Sequence, residues 1–158
     1  MASVRRAEGP EQPREPLDEL IRVDDRLGLA LTAAARAMGT RYRMSLMRLG
    51  LTYPQFQLMT VLWEDGSQLV GTLADRLALD ISTISPLLKR LEVRGLVVRR
   101  RDPHDERRVI ITPTPRGLDL QAEEYAVLEQ VSVATHLSPS QERALVRQLK
   151  RLTRFLEQ

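Results

Sequence analysis

The chain has 158 residues, 42% of them apolar, and a net charge of +3, which makes one domain with its own core the default. It contains no cysteine, which excludes disulfides, thiolate catalysis and thiolate metal sites. No apolar run approaches the roughly 18 residues of a membrane span and no signal-peptide pattern is present, so a cytoplasmic protein without a membrane partner is expected.

Residues 1 to 16, MASVRRAEGPEQPREP, are polar and proline-rich without periodicity and read as a flexible N-terminal arm. Arg5, Arg6 and Arg14 on it are either solvated charges or contacts to DNA. Residues 17 to 158 read as a single domain. From about Asp24 to Leu49 the pattern is one long helix, with Leu27, Leu31, Ala34, Met38, Tyr42 and Leu46 as its apolar stripe. Met38, Tyr42, Met44 and Met47 belong either to the core or to a ligand-pocket wall. Gly50 ends this helix. Thr52 and Gln55 have capping-box spacing, and Pro54 suits a first turn, so a second helix runs to about Asp65 and stops at Gly66. Leu51 and Phe56 are placed for a hydrophobic staple. Phe56, Met59, Val61, Leu62 and Trp63 make that helix apolar enough to be buried. Leu69 and Val70 suit a short third strand, Thr72 to Ala78 a helix, and Ala78, Leu79 and Asp80 a turn.

In LDISTISPLLKRLEVRG, Ile81, Ile84, Leu88 and Leu91 recur at helical spacing and predict a core face. Ser82, Ser85, Pro86, Lys89 and Arg90 fall on the other side. Pro86 requires that the helix begin late, near Ser82, or begin near Asp80 and bend. Ser82, Thr83 and Ser85 fit N-terminal capping or contact with base edges; Lys89 and Arg90 on the same side favour DNA. Gly95 stops the helix. Leu96 to Arg101 and Arg107 to Thr112 then read as a hairpin with a basic flank, Arg99 and Arg101 pointing one way and Arg100 the other. Residues 80 to 108 hold eight Lys/Arg against five Asp/Glu, the local excess that nucleic acid attracts. Pro113 is expected to end the second strand early. Thr114 caps a long helix with Pro115 at its first position, striped by Leu118, Ala122, Tyr125, Leu128 and Val131 through about Ala134. Ser138 and Gln141 repeat the capping box, and Leu145, Leu149, Leu152 and Leu156 stripe a final helix. His104 and His136 lack metal-ligand companions, so neither a metal nor another cofactor is expected.

Helix, glycine and basic hairpin follow in the order of a winged helix-turn-helix. RDPHDERRVIITPTPRG resembles the wing signature of MarR-family transcription regulators, with Asp105, Arg107, Thr114 and Gly117 at the signature positions. LGLTYPQFQLMTVLWE and PLLKRLE are similar to the organic-hydroperoxide-resistance subgroup, and the resemblance covers residues 23 to 156. It implies a mainly α fold with a small β wing (α+β). In that fold a winged helix-turn-helix lobe over 52 to 113 is flanked by dimerisation helices over 17 to 51 and 114 to 158. It further implies a homodimer in which the first, fifth and sixth helices of two subunits intertwine. Such a dimer binds a palindromic double-stranded DNA operator, most simply as a repressor. The arginine at the position of Arg107 enters a minor groove, where the negative potential is enhanced, and Asp105 orients an arginine rather than touching DNA. The expected DNA-binding residues are Ser82, Thr83, Ser85, Pro86, Lys89, Arg90, Asp105 and Arg107.

The subgroup senses peroxide through a reactive cysteine near the start of its first helix. Here the corresponding LGLALTAAAR carries Gly28, and a neighbouring tyrosine of the pattern is Thr32, whereas Tyr42 and Tyr53 are retained. Peroxide sensing by a thiolate is therefore excluded. Gly28, Thr32, Tyr42, Tyr53 and Phe56 are candidates for a pocket taking a small, partly apolar effector, with collapse of the space as the alternative. No nucleophile with a base, carboxylate pair or phosphate loop emerges, so no enzyme is expected. The competing class is a winged-helix protein-interaction module without an operator.

Overall fold

A computed structural model describes residues 26–158. The expected arm and the start of the first helix at Asp24 lie outside them. The described residues fall into two units, one up to Ala37 and the other Met38–Gln158. Helix α1 is Leu27–Leu46, continued by a 3-10 turn over Met47–Leu49. Then follow α2 (Tyr53–Asp65), β1 (Gln68–Leu69), α3 (Val70–Leu77), α4 (Ile81–Val93), β2 (Val97–Asp102) and β3 (Asp105–Pro113). The chain ends with α5 (Pro115–Asp119), a 3-10 turn over Leu120–Glu123, α6 (Glu124–Thr135) and α7 (Pro139–Leu156).

Local chemistry sets most of these boundaries. The Gln55 side chain accepts from the Thr52 N–H at 3.0 Å, and Gln141 does the same for Ser138 at 2.8 Å, closing a capping box at each helix start. Helix α4 begins at Ile81, with the Asp80 carbonyl accepting from the Thr83 and Ile84 N–H groups at 2.9 and 3.0 Å. The earlier of the two expected starts therefore holds, and Pro86 lies inside the helix. Gly95 takes φ 68°, a left-handed turn that only a residue without Cβ adopts cheaply, and the chain enters β2.

The core is the winged helix lobe. Leu58, Met59, Leu62, Leu73, Ile84, Leu88, Leu91, Leu96 and Ile111 are all buried, each worth about 1.5–3 kcal/mol if removed from water. Val127 of α6 joins this cluster. The sheet is antiparallel in the order β1-β3-β2, with Leu69 opposite Ile110 and Val97 opposite Pro113.

Three expectations need correction. Pro113 does not shorten β3. The next residue, Thr114, donates its N–H to Leu96 O at 3.0 Å, so the N–H that Pro113 lacks would face the other side, where β1 has already ended. The helix expected from Pro115 to Ala134 is broken by the 3-10 turn at Leu120–Glu123. That turn rotates the inward face, so Gly117, Val127 and Val131 are buried while Leu118, Tyr125 and Leu128 are exposed. Within one chain Leu46 is the buried residue of the α1 stripe and α7 buries none of its residues, which does not contradict stripes expected on dimerisation helices. Ile81, expected on the core face of α4, is 57% exposed.

Candidate nucleic-acid interface

Helix α4 places its predicted residues on one solvent-facing side. Ser82, Thr83, Pro86, Lys89 and Arg90 are exposed and Ser85 is half-buried, while Ile84, Leu88 and Leu91 fix the opposite side in the core. The Ser85 hydroxyl donates to Ile81 O at 2.8 Å, so toward solvent it offers only lone pairs. Arg90 and Lys89 lie along a groove with Pro86 and Val93 beside the start of α2.

The wing presents its arginines by a register slip. Arg101 faces Val109 but Asp102 faces Asp105, which leaves Glu106, Arg107 and Arg108 opposite no residue of β2. Such a bulge re-aims side chains. Arg107 is 96% exposed, and Asp105 Oδ1 accepts its backbone N–H at 3.1 Å and stands 3.8 Å from its Nε. Asp105 is thus placed to orient the arginine. In the turn, Asp102 Oδ1 accepts from the His104 N–H at 2.9 Å and its Oδ2 is 3.9 Å from Arg108 Nε. Arg99, Arg107 and Arg108 line one wall of a 450 Å³ groove whose other walls are α3 and the first turn of α4. Arg101 turns instead to Glu106 O, at 3.3 Å. Guanidinium groups over a hydroxyl-rich helix start are the chemistry that phosphates and base edges require.

On another side of the lobe Tyr42 and Tyr53 stack at 4.0 Å and 25°, and Phe56 lies 6.3 Å from Tyr42. Tyr42, Tyr53, Phe56, Thr60, Glu64 and Arg76 are among the residues lining a 270 Å³ cavity. Gly28 and Thr32 belong to the other unit, where the Thr32 hydroxyl donates to Gly28 O at 2.8 Å. Burial, and then the neighbouring Tyr53, push the Tyr42 hydroxyl up to about 12, and burial raises Tyr53 as well. Both phenols are neutral donors at physiological pH. Thr60 Oγ1 is buried without a protein partner. Among the described residues no group of three or more His, Cys, Asp or Glu converges to hold a metal, and no helix is long and apolar enough to cross a membrane.

The MarR family profile matches residues 51–109. TtmR, an HTH-type transcriptional regulator of Methylorubrum extorquens (strain PA1), is 41% identical over 124 residues, 78% of this chain and 64% of that protein. The organic hydroperoxide resistance transcriptional regulator of Bacillus subtilis (strain 168) is 37% identical over 97 residues, 61% of this chain and 66% of that protein. The chain spans just under two thirds of the length of each. Among solved structures, reduced AbfR bound to DNA superposes with a TM-score of 0.74 at 30% identity, over 89% of this chain and 99% of that one. The chain belongs to the MarR family. Another similar structure is BpsR of Bordetella bronchiseptica, from work on regulation of its DNA binding by 6-hydroxynicotinic acid, with a TM-score of 0.76 at 26% identity over 84% and 96% of the two chains.

In this MarR-family protein two signature residues do structural work behind the interface. The Thr114 hydroxyl donates to Gly95 O at 2.7 Å and accepts from the Gly117 N–H at 3.0 Å. It thereby ties the glycine that follows α4 to the start of α5. Gly117 packs against the Leu96 carbonyl so closely that a Cβ would overlap it, and its own carbonyl accepts from the Trp63 indole N–H at 2.8 Å. Sequence reasoning missed two arginines. Arg94 forks onto Gly50 O at 2.6 Å and Leu49 O at 2.9 Å, joining the end of α4 to the end of the α1 extension. Arg76 bridges Glu64 at 2.6 Å and also Asp65, tying α3 to α2. Partners 44 and 45 residues apart leave no local signal for Arg94.

Proposed function

We propose that this MarR-family regulator is a homodimeric repressor that binds a palindromic operator, α4 entering the major groove and the wing the minor groove. The observation that carries the reading is the pairing of an exposed Ser82, Thr83, Lys89 and Arg90 face with an Arg107 displayed on a bulge and held by Asp105. Dimerisation is supported by the apolar side chains that a single chain leaves in water: Leu118, Leu128, Leu145, Leu149 and Phe155 are each 38–60% exposed. Coverage by a second copy of α1, α6 and α7 would remove them from water. The working compartment is the cytoplasm, where operator DNA is found.

The signal is a non-covalent small molecule, because without cysteine no side chain can take the thiolate step of peroxide sensing. The tyrosine cavity, with two neutral phenol donors and an unpartnered Thr60 hydroxyl, suits a small, partly apolar acceptor. BpsR, whose DNA binding is regulated by 6-hydroxynicotinic acid, offers a precedent in a similar fold. Titration of a selected operator duplex across salt concentrations tests the interface. Arg107→Ala should weaken binding by about 1–3 kcal/mol without changing the melting temperature. Lys89→Ala should weaken binding to many sequences alike and reduce the salt slope by about one unit. Binding unchanged by both substitutions would favour a protein-interaction module.

A further inference from the structure

Ile81 departs from the apolar face with which it shares helical spacing. Ile84, Leu88 and Leu91 are fully buried, whereas Ile81, the first helical residue, is 57% exposed. It borders the 450 Å³ groove together with Ser85, Arg99, Arg107 and Arg108. The other apolar residues there, Leu69, Val70 and Val109, are half-buried. Ile81 is therefore the aliphatic group that a partner entering this cationic groove meets at the helix start.

The Cα–Cβ bonds of a helix tilt toward its N-terminus, and it is the N-terminal residues of a recognition helix that reach base edges. In the major groove those edges offer hydrogen-bond donors and acceptors, and a single kind of apolar group, the C5 methyl of thymine. We infer that Ile81 packs against a thymine methyl and is a specificity-determining residue, reading one T in each operator half-site. The inference rests on the proposal that α4 enters the major groove. Nearby, Ser82 and Thr83 are exposed, and Ser85 presents lone pairs because its proton is committed to Ile81 O. Ile81 thus supplies an apolar reading beside polar ones.

The test uses a duplex selected from a random-sequence pool by the full-length protein. Each thymine of the half-site is replaced in turn, symmetrically, by deoxyuridine, which removes the methyl and nothing else. One position should cost the unmodified protein about threefold to tenfold per half-site, the scale of one or two buried methyl groups. The same replacement should cost Ile81→Ala nothing, and Ile81→Val should retain most of the sensitivity. Met47→Ala is the control, since Met47 is an apolar residue 71% exposed in the turn that follows α1, and its deoxyuridine profile should match that of the unmodified protein. Thermal melts confirm that each variant is folded. If the unmodified protein and Ile81→Ala bind the duplex with the same deoxyuridine profile, the inference is wrong while the DNA-binding proposal stands. If the unmodified protein selects no duplex, both fall.

Discussion

At the scale of single residues, the wing signature separates into residues that display and residues that hold. Gly117 holds. Its missing Cβ leaves room for the Leu96 carbonyl, so Gly117→Ala should destabilise the fold by about 1–3 kcal/mol, the cost of forcing atoms into a packed core. Urea denaturation measures this, and a change below about 0.5 kcal/mol would show that β2 and α5 can part freely. Tyr42 gives a pH signature. Its folded value of about 12 lies above the ordinary 10.0, so between those two pH values the folded chain keeps a proton that the unfolded chain has released. This contribution to stability is complete below about pH 10 and is lost as pH rises toward 12. Tyr42→Phe should therefore raise the pH of alkaline unfolding followed by circular dichroism; a lower or unchanged midpoint would mean the phenol is not buried as described. The contact of Asp105 with Arg107 was legible, since the two stand two residues apart in one motif. Ile81 was not, because periodicity assigns a face to a whole helix and says nothing of where its first turn overhangs the lobe.

At the scale of elements, what the sequence disclosed was local. Thr52 with Gln55 and Ser138 with Gln141 mark helix starts by a three-residue spacing, and both capping boxes are present. The hairpin was legible from its β-branched runs, but the slip that leaves Arg107 unpaired depends on register, which alternation alone does not set. The fate of Pro113 likewise depended on which side of β3 still had a neighbour. The same limit hid Arg94, whose planar fork satisfies two carbonyls at the end of the α1 extension. Arg94→Ala should cost about 1–2 kcal/mol in chemical denaturation, and Arg94→Lys should recover little, since one ammonium does not reproduce a two-pronged donor. Full recovery by lysine would reduce the contact to simple charge. The helix-turn-helix turn stores a small strain: Ala78 takes φ 50° and ψ 47° at the end of α3. Ala78→Gly should therefore raise stability by about 0.5–1 kcal/mol, read as a higher urea midpoint; a lower midpoint would show that the gain in unfolded-state freedom outweighs the relief.

At the scale of the whole molecule, the lobe carries its own core while α1, α6 and α7 expose apolar faces, a division that the proposed symmetric dimer would resolve. Sedimentation should show a dimer at micromolar concentration. Cumene hydroperoxide at thiol-selective doses should leave operator complexes intact in a gel shift. Rapid release without methionine oxidation in the mass spectrum would contradict the non-covalent account of the signal. Sequence-specific recognition by two symmetry-related lobes can be read out by selecting bound fragments from genomic DNA. Enriched sites should have dyad symmetry and half-sites about one helical turn, roughly 10 bp, apart. Enriched sites without a dyad, or no enrichment over competitor DNA, would contradict it.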